Sequence, residues 1–177
     1  AARAAAVKRN PLLAHFVQMG NPQYCVVGYA LPADTAAINQ ALQSPAATEL
    51  LPADLRLAWS VSADGGMFAL YALRTTNGKP ALAGDVIADA KDDYNQFHQP
   101  VVSMTMNVDG AREWASITKK NVNRPVAIVL DGLVYSAPNI NEPITGGQSQ
   151  ISGHFTTQQT MDLANVLKSG KMPAPTN

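Results

Sequence analysis

Asp131-Gly132 lies between two short apolar runs, Val126-Ala127-Ile128-Val129-Leu130 and Leu133-Val134-Tyr135. This is among the strongest short-range hairpin signals, because a type I′ turn needs positive φ at both central residues. It commits the chain to antiparallel pairing at that point. The continuation is less regular. Residues 137–147 hold Pro138, Pro143 and Gly146-Gly147, yet keep apolar Ile140 and Ile144. No nucleophile, base or metal cluster lies among them. Apolar side chains in a turn-rich segment suit exposed contacts with a partner. Asn139, Ile140, Asn141, Ile144, Gly146 and Gly147 therefore form the candidate contact set.

The rest of the chain mixes two hydrophobic periods. Residues 2–9 are alanine-rich and helix-permissive. A helix is expected over 12–19, ended by Gly20-Asn21-Pro22, then a strand over 24–30 rich in β-branched and aromatic residues. Asp34 or Thr35 caps a helix to Leu42, with Ile38 and Leu42 on its buried face. A short helix over 46–51 is closed by Pro52. Residues 55–61 alternate, with Leu55, Leu57, Trp59 and Val61 on one face. They turn at Asp64-Gly65-Gly66 into a strand over 67–73, and Asn77-Gly78 turns again. Residues 1–80 thus read β-α-β-β.

In residues 81–177, Asp85 caps a short helix whose end carries Lys91, Asp92 and Asp93. A strand over 101–107 alternates Val102, Met104 and Met106. A helix of about 13 residues starts at Asp109-Gly110, with Ala111, Trp114, Ala115, Ile117 and Thr118 on one side. After the hairpin, 148–152 form a strand. Thr156 or Thr157 caps a last helix whose Met161, Ala164, Val166 and Leu167 face the core, with Gly170 at its end. This part reads β-α-β-β-β-α. The expected fold is α+β: an antiparallel or mixed β-sheet with helices packed on it, one domain over residues 1–177.

Charge narrows the function classes. The 13 basic residues balance 13 acidic ones, without the basic excess or stripe of a nucleic-acid binder. Arg3, Lys8 and Arg9 read as a solvated terminal helix. Charged residues make up 15% of the chain, against about 25% in ordinary domains. A polar, weakly charged surface leans toward a place outside the cytosol. The single cysteine, Cys25, has no partner for a disulfide and reads as a small buried hydrophobe. No apolar run approaches the ~18 residues of a membrane span, and no secretory leader opens the chain. Both ends look like the interior of a longer polypeptide.

Catalytic constellations are not visible. His15, His98 and His154 are far apart and read as surface or capping residues. Asp89, Asp92 and Asp93 are the one dense acidic group; paired carboxylates on a helix face suit acid–base or metal work. The preferred reading is a solvated face with Lys91 interleaved. There is no nucleophile elbow and no phosphate-binding glycine loop. No catalytic, metal-binding or cofactor-binding residue is expected. Met104, Met106 and Met161 read as core.

Several motifs occur in order over about residues 82–175. They are Leu82-Ala83-Gly84-Asp85 with Ala90; Val101-Val102-Ser103-Met104-Thr105-Met106-Asn107 with Asp109-Gly110-Ala111; and Ala127-Ile128-Val129-Leu130-Asp131-Gly132. Tyr135-Ser136-Ala137-Pro138, Ile144-Thr145-Gly146-Gly147 and Gln150-Ile151-Ser152-Gly153-His154-Phe155 follow, and then residues 162–175. Together they resemble SecD and the fused SecDF proteins. Residues 1–80 are more weakly similar to the longer variant in fused SecDF.

The resemblance implies the first large periplasmic domain of a bacterial inner-membrane protein, mainly its head region. Its implied role is non-enzymatic: to engage the emerging preprotein during export assisted by the proton-motive force. The implied partners are unfolded preprotein and, through the full-length protein, SecF and the SecYEG translocon. Neither nucleic acid nor a cofactor is implied, and the fragment itself does not span the membrane. The family's proton-carrying residues lie in membrane helices outside this chain, so none is carried over. Lys171 departs from the small or leucine-like residue common there. The candidate contact set becomes a preprotein-contact set. Two other readings stand beside it: a structural spacer without substrate contact, and a hydrolase.

Overall fold

The structure, a computed structural model, describes Lys8, residues 10–21 and residues 25–169. Readings that fall on residues 2–7, Arg9, Pro22, Tyr24, Gly170 and Lys171 lie outside those residues. The fold is α+β. The chain divides into two compact units, Ala1–Lys79 with Asp131–Tyr135, and Pro80–Leu130 with Ser136–Asn177.

The first unit is built on a four-stranded antiparallel sheet in the order β1-β2-β4-β3. Its strands are β1 (Gln18–Met19), β2 (Val26–Ala30), β3 (Leu55–Trp59) and β4 (Phe68–Arg74). Helices α1 (Thr35–Leu42) and α2 (Pro45–Leu50) connect β2 to β3. Ile38 of α1 packs with Phe16, Ala30 and Leu70, and Leu12, Val27, Leu42, Leu57 and Trp59 surround them. Each large side chain in that cluster contributes about 1.5–3 kcal/mol by leaving water. The tip of the 126–136 hairpin belongs to this unit. Ser60 and Val134 form a parallel bridge, and the Val61 N–H donates to the Val134 carbonyl at 2.9 Å.

Four expectations change here. The helix over 12–19 is instead a 3-10 turn, Pro11–Ala14, followed by β1. Sheet pairing wins: the Val17 N–H donates to the Tyr29 carbonyl at 2.8 Å, and Phe16 enters the core. Asp34 does not cap α1 with its side chain; its Oδ1 lies 2.9 Å from His15 Nδ1 instead. In β3 it is Ala58, on the face opposite Leu57 and Trp59, that is fully buried. Cys25 is half-buried and not a strand interior residue; it takes φ +53° just ahead of β2.

The second unit holds a three-stranded antiparallel sheet in the order β5-β6-β9. The strands are β5 (Ile87–Tyr94), β6 (Pro100–Met106) and β9 (Gln148–Ile151). Val102, Met104 and Met106, two apart along β6, are buried. Helix α4 (Thr157–Ser169) packs against β5 and β6. It buries Thr160, Leu163, Ala164 and Leu167, the i, i+3, i+4, i+7 stripe of one helix face. Met161 lies off that stripe and is 43% exposed, so it is not a core residue. Thr156 Oγ accepts from the Gln159 N–H at 3.2 Å and opens the helix.

Residues 85–93 do not form a helix. After a 3-10 turn, Gly84–Val86, they run as β5. The physical reason is the antiparallel ladder with β6, which takes up the backbone from Ile87 to Tyr94 and contains one bulge. Register shifts between Ile87 and Asp89, so buried Ile87 pairs with Met106 and buried Ala90 with Met104. Two inward residues three apart imitate helical spacing, although the backbone is extended.

Helix α3 (Val108–Lys120) follows β6. Asn107 Oδ1 accepts from the Gly110 N–H at 2.8 Å and caps it. The hairpin pairs β7 (Ile128–Leu130) with β8 (Leu133–Ser136). Its turn has φ +50° at Asp131 and +78° at Gly132, as a type I′ turn requires. Among the described residues the pairs within the two larger sheets are antiparallel, and parallel pairing is confined to isolated bridges.

Candidate functional site

Residues 138–147 are a strap fastened along the second unit. The Pro138 carbonyl accepts from the Val126 N–H at 3.0 Å. Asn139 bridges Pro125 and Ile140 bridges Val122. The Ile140 N–H donates to the Arg124 carbonyl at 3.0 Å, and its carbonyl accepts from the Asn123 N–H at 2.7 Å. Further on, the Ile144 N–H donates to Thr118 Oγ1 at 2.9 Å. That hydroxyl itself donates to the Trp114 carbonyl of α3 at 2.8 Å. The Gly147 carbonyl accepts from the Met106 N–H at 2.7 Å and leads into β9. A Cβ on Gly147 would come within 2.8 Å of Ala111 Cβ, so α3 approaches the strap closely there.

This anchoring sorts the six candidate residues. Asn139, Asn141 and Gly146 are exposed, and Ile144 is half-buried. Ile140 is 4% exposed and Gly147 is buried. Ile140 is thus not an exposed apolar contact; the sequence showed an isoleucine among turn formers but not the backbone pairing that turns it inward. Its side chain holds the strap down, while the flanking asparagines face solvent.

The acidic group is dispersed on β5 rather than gathered on a helix face. Asp93 Oδ1 accepts from the Tyr94 N–H at 2.8 Å, and Asp93 Oδ2 accepts from Ser103 Oγ at 3.2 Å. The Tyr94 N–H first, then the Ser103 hydroxyl, hold the Asp93 carboxyl below its ordinary range. That environment favours a fixed carboxylate over a proton donor. Asp89 lies 3.7 Å from Lys168 Nζ of α4. His15 and Asp34 of the first unit form a carboxylate–imidazole pair. Burial raises the Cys25 thiol, which disfavours the thiolate needed of a nucleophile. Among the described residues, no three His, Cys, Asp or Glu side chains converge as a metal site. No helix there is long and apolar enough to cross a membrane.

One exposed feature was missed from sequence. Phe97, at the tip of the β5–β6 hairpin, is 71% exposed. Asn95 builds the turn beneath it. Asn95 Oδ1 accepts from the Phe97 and Gln99 N–H groups at 2.9 and 3.0 Å. Its main chain pairs with Gln99 and His98. A lone aromatic within Asn95-Gln96-Phe97-His98-Gln99, between two strands, was the available signal.

Residues 64–174 match the family described as SecDF, P1 head subdomain. The protein translocase subunit SecD of Rhodothermus marinus is 42% identical over 170 residues, 94% of this chain and 27% of that protein. The protein translocase subunit SecDF of Thermus thermophilus is 43% identical over 98 residues, 55% of this chain and 13% of that protein. This chain thus spans about a quarter or less of these curated relatives. A solved structure, described as that of a membrane component SecDF that enhances protein export, aligns over 98% of this chain and 71% of its own. The two share a TM-score of 0.51 and 31% identity. With a matched region that includes β5, β6, the hairpin, the strap and α4, the chain belongs to the family of SecDF P1 head subdomains.

Proposed function

We propose that this chain is the periplasmic head of a SecD or SecDF subunit and engages the preprotein as it emerges during export. In this reading the proton-motive force assists the step, SecF and the SecYEG translocon are partners through the full-length protein, and the head itself is non-enzymatic. The family match over residues 64–174 carries the reading. It is supported by the SecD relative similar over 94% of the chain and by the export-enhancing component of like fold. The Asp93 carboxylate, held as an acceptor by the Tyr94 N–H and the Ser103 hydroxyl, is ill suited to the proton-donor role a hydrolase would ask of it.

The surface offered to the preprotein is the exposed rim of the strap: Asn139, Asn141 and Gly146, with half-buried Ile144 between them. A photoreactive residue at Asn141 or Gly146 of the full-length subunit, in membranes holding a stalled export substrate, should form adducts with it. The buried Ile140 position serves as an internal control. Adducts elsewhere on the domain with none at either site would overturn this surface. The fastening of residues 138–147 favours a second reading, a spacer that makes no substrate contact. Export unchanged after bulky substitutions at Asn139, Asn141 and Gly146, with no adduct anywhere on the domain, would select it.

A further inference from the structure

The sheet of the second unit has two edges, β5 and β9, and they are built differently. Exposed edges pair with stray strands unless a protein blunts them with charges, bulges or proline. The β5 edge is blunted. It carries the Ile87/Asp89 register shift and four charged residues, Asp89, Lys91, Asp92 and Asp93. The Tyr94 N–H is taken by Asp93 Oδ1. Ala90 is 1% exposed, which removes its backbone from reach.

The β9 edge is short, at four residues, but carries none of these devices. Residues 145–153 contain no charge and no proline. β9 pairs with β6 in unbroken register, Val102 with Ile151 through Thr105 with Gln148. The bond from Met106 N–H to the Gly147 carbonyl fixes its phase. Antiparallel bonding alternates, so Ser149 and Ile151 bond to Met104 and Val102. The N–H and C=O groups of Gln148 and Gln150 then point away from β6. Both residues are exposed, and no other described residue bonds to their main chain. The edge is also anchored at both ends. Gly147 is packed against Ala111 at one end, and Ile151 is fully buried at the other.

We propose that the outer edge of β9 takes up an extended segment of unfolded polypeptide as a fourth strand. The proposal rests on the preprotein-handling reading and supplies its mode of contact. Two outward residues offer one donor and one acceptor each. That is too short a seam for a lasting dimer, which buries about 1,200–2,000 Å² or more, and it suits weak, repeated capture. Main-chain pairing reads no sequence, as a partner of varied sequence requires. In register beside Gln148 and Gln150 lie Thr105 and Ser103, so the open face beside the edge is polar and accepts varied side chains.

The test uses the whole chain and reduced, carboxymethylated lactalbumin as an unfolded probe, followed by fluorescence anisotropy. Gln150→Pro removes one outward N–H and leaves the Ser149 and Ile151 bonds to β6 in place. It should weaken binding about tenfold, with the circular dichroism unchanged. A second measurement needs no variant: the probe should slow hydrogen exchange at the Gln148 and Gln150 amides. If the native chain binds the probe but folded Gln150→Pro binds it equally, the edge proposal falls and the functional reading stands. Unchanged exchange at both amides in the bound state has the same meaning. If the native chain binds no probe, the functional reading falls too. If Gln150→Pro abolishes self-association in sedimentation and leaves probe binding intact, the edge is a seam between copies and the proposal is overturned.

Discussion

At the residue scale, neighbours in sequence have opposite tasks. Ile140 is buried and hydrogen-bonded through both main-chain groups, while Asn141 is exposed. Ile140→Ala should destabilise the chain by about 2–5 kcal/mol, as for other large-to-small core changes. Asn141→Ala should stay within about 0.5 kcal/mol, as for surface substitutions. Chemical denaturation of the two variants checks the contrast. Asp93 sets a pH dependence. Its carboxyl is held low by the Tyr94 N–H and the Ser103 hydroxyl. A depressed folded-state pKa contributes stability above the unfolded value, and that contribution is lost as pH falls through the folded value. Ser103→Ala should therefore move the Asp93 titration upward in a carboxyl-carbon NMR series and shrink its share of the acid dependence. None of this pairing was legible in sequence, because Asp93 and Ser103 meet only across the β5–β6 ladder.

At the element scale, α3 shows how tertiary contact reverses a propensity. Alanine ordinarily favours a helix over glycine by about 1 kcal/mol. At Gly110, however, a Cβ would come within 2.5 Å of Val86 Cβ, in the turn that precedes β5. Gly110→Ala should destabilise by about 1–3 kcal/mol, the usual cost of overpacking, and thermal melts will show the sign. The sequence displayed Asp109-Gly110 as a helix start and gave the helix its true length, but offered no reason for the glycine. For β5 the sequence misled. The bulge put Ile87 and Ala90 on one face three residues apart, so no strand alternation marked the segment and Asp85 read as a helix cap. Where the backbone is regular, as in the Asp131-Gly132 hairpin or β6, period and turn chemistry were enough.

At the scale of the whole molecule, the chain visits its first unit twice: once through Lys79 and again at Asp131–Tyr135. Val134 is buried there, and its carbonyl accepts from the Val61 N–H. Val134→Ala removes two methyl groups from that site and should cost about 2 kcal/mol. In hydrogen exchange by NMR, the Val61 amide should lose protection well before that of Val102 in the second unit. Equal losses would deny the hairpin tip its place in the first unit. The sequence by itself determined the α+β class, the hairpin, helices α1, α3 and α4, and the ordered motifs that carry the family likeness. These depend on local conformational preference and on periods within one element. Only the tertiary structure decided that Ile140 turns inward, that residues 85–93 extend as a strand, and that one sheet edge is bare while the other is blunted. Each of those is settled by which distant backbone supplies a segment's hydrogen bonds, and no local pattern encodes that choice.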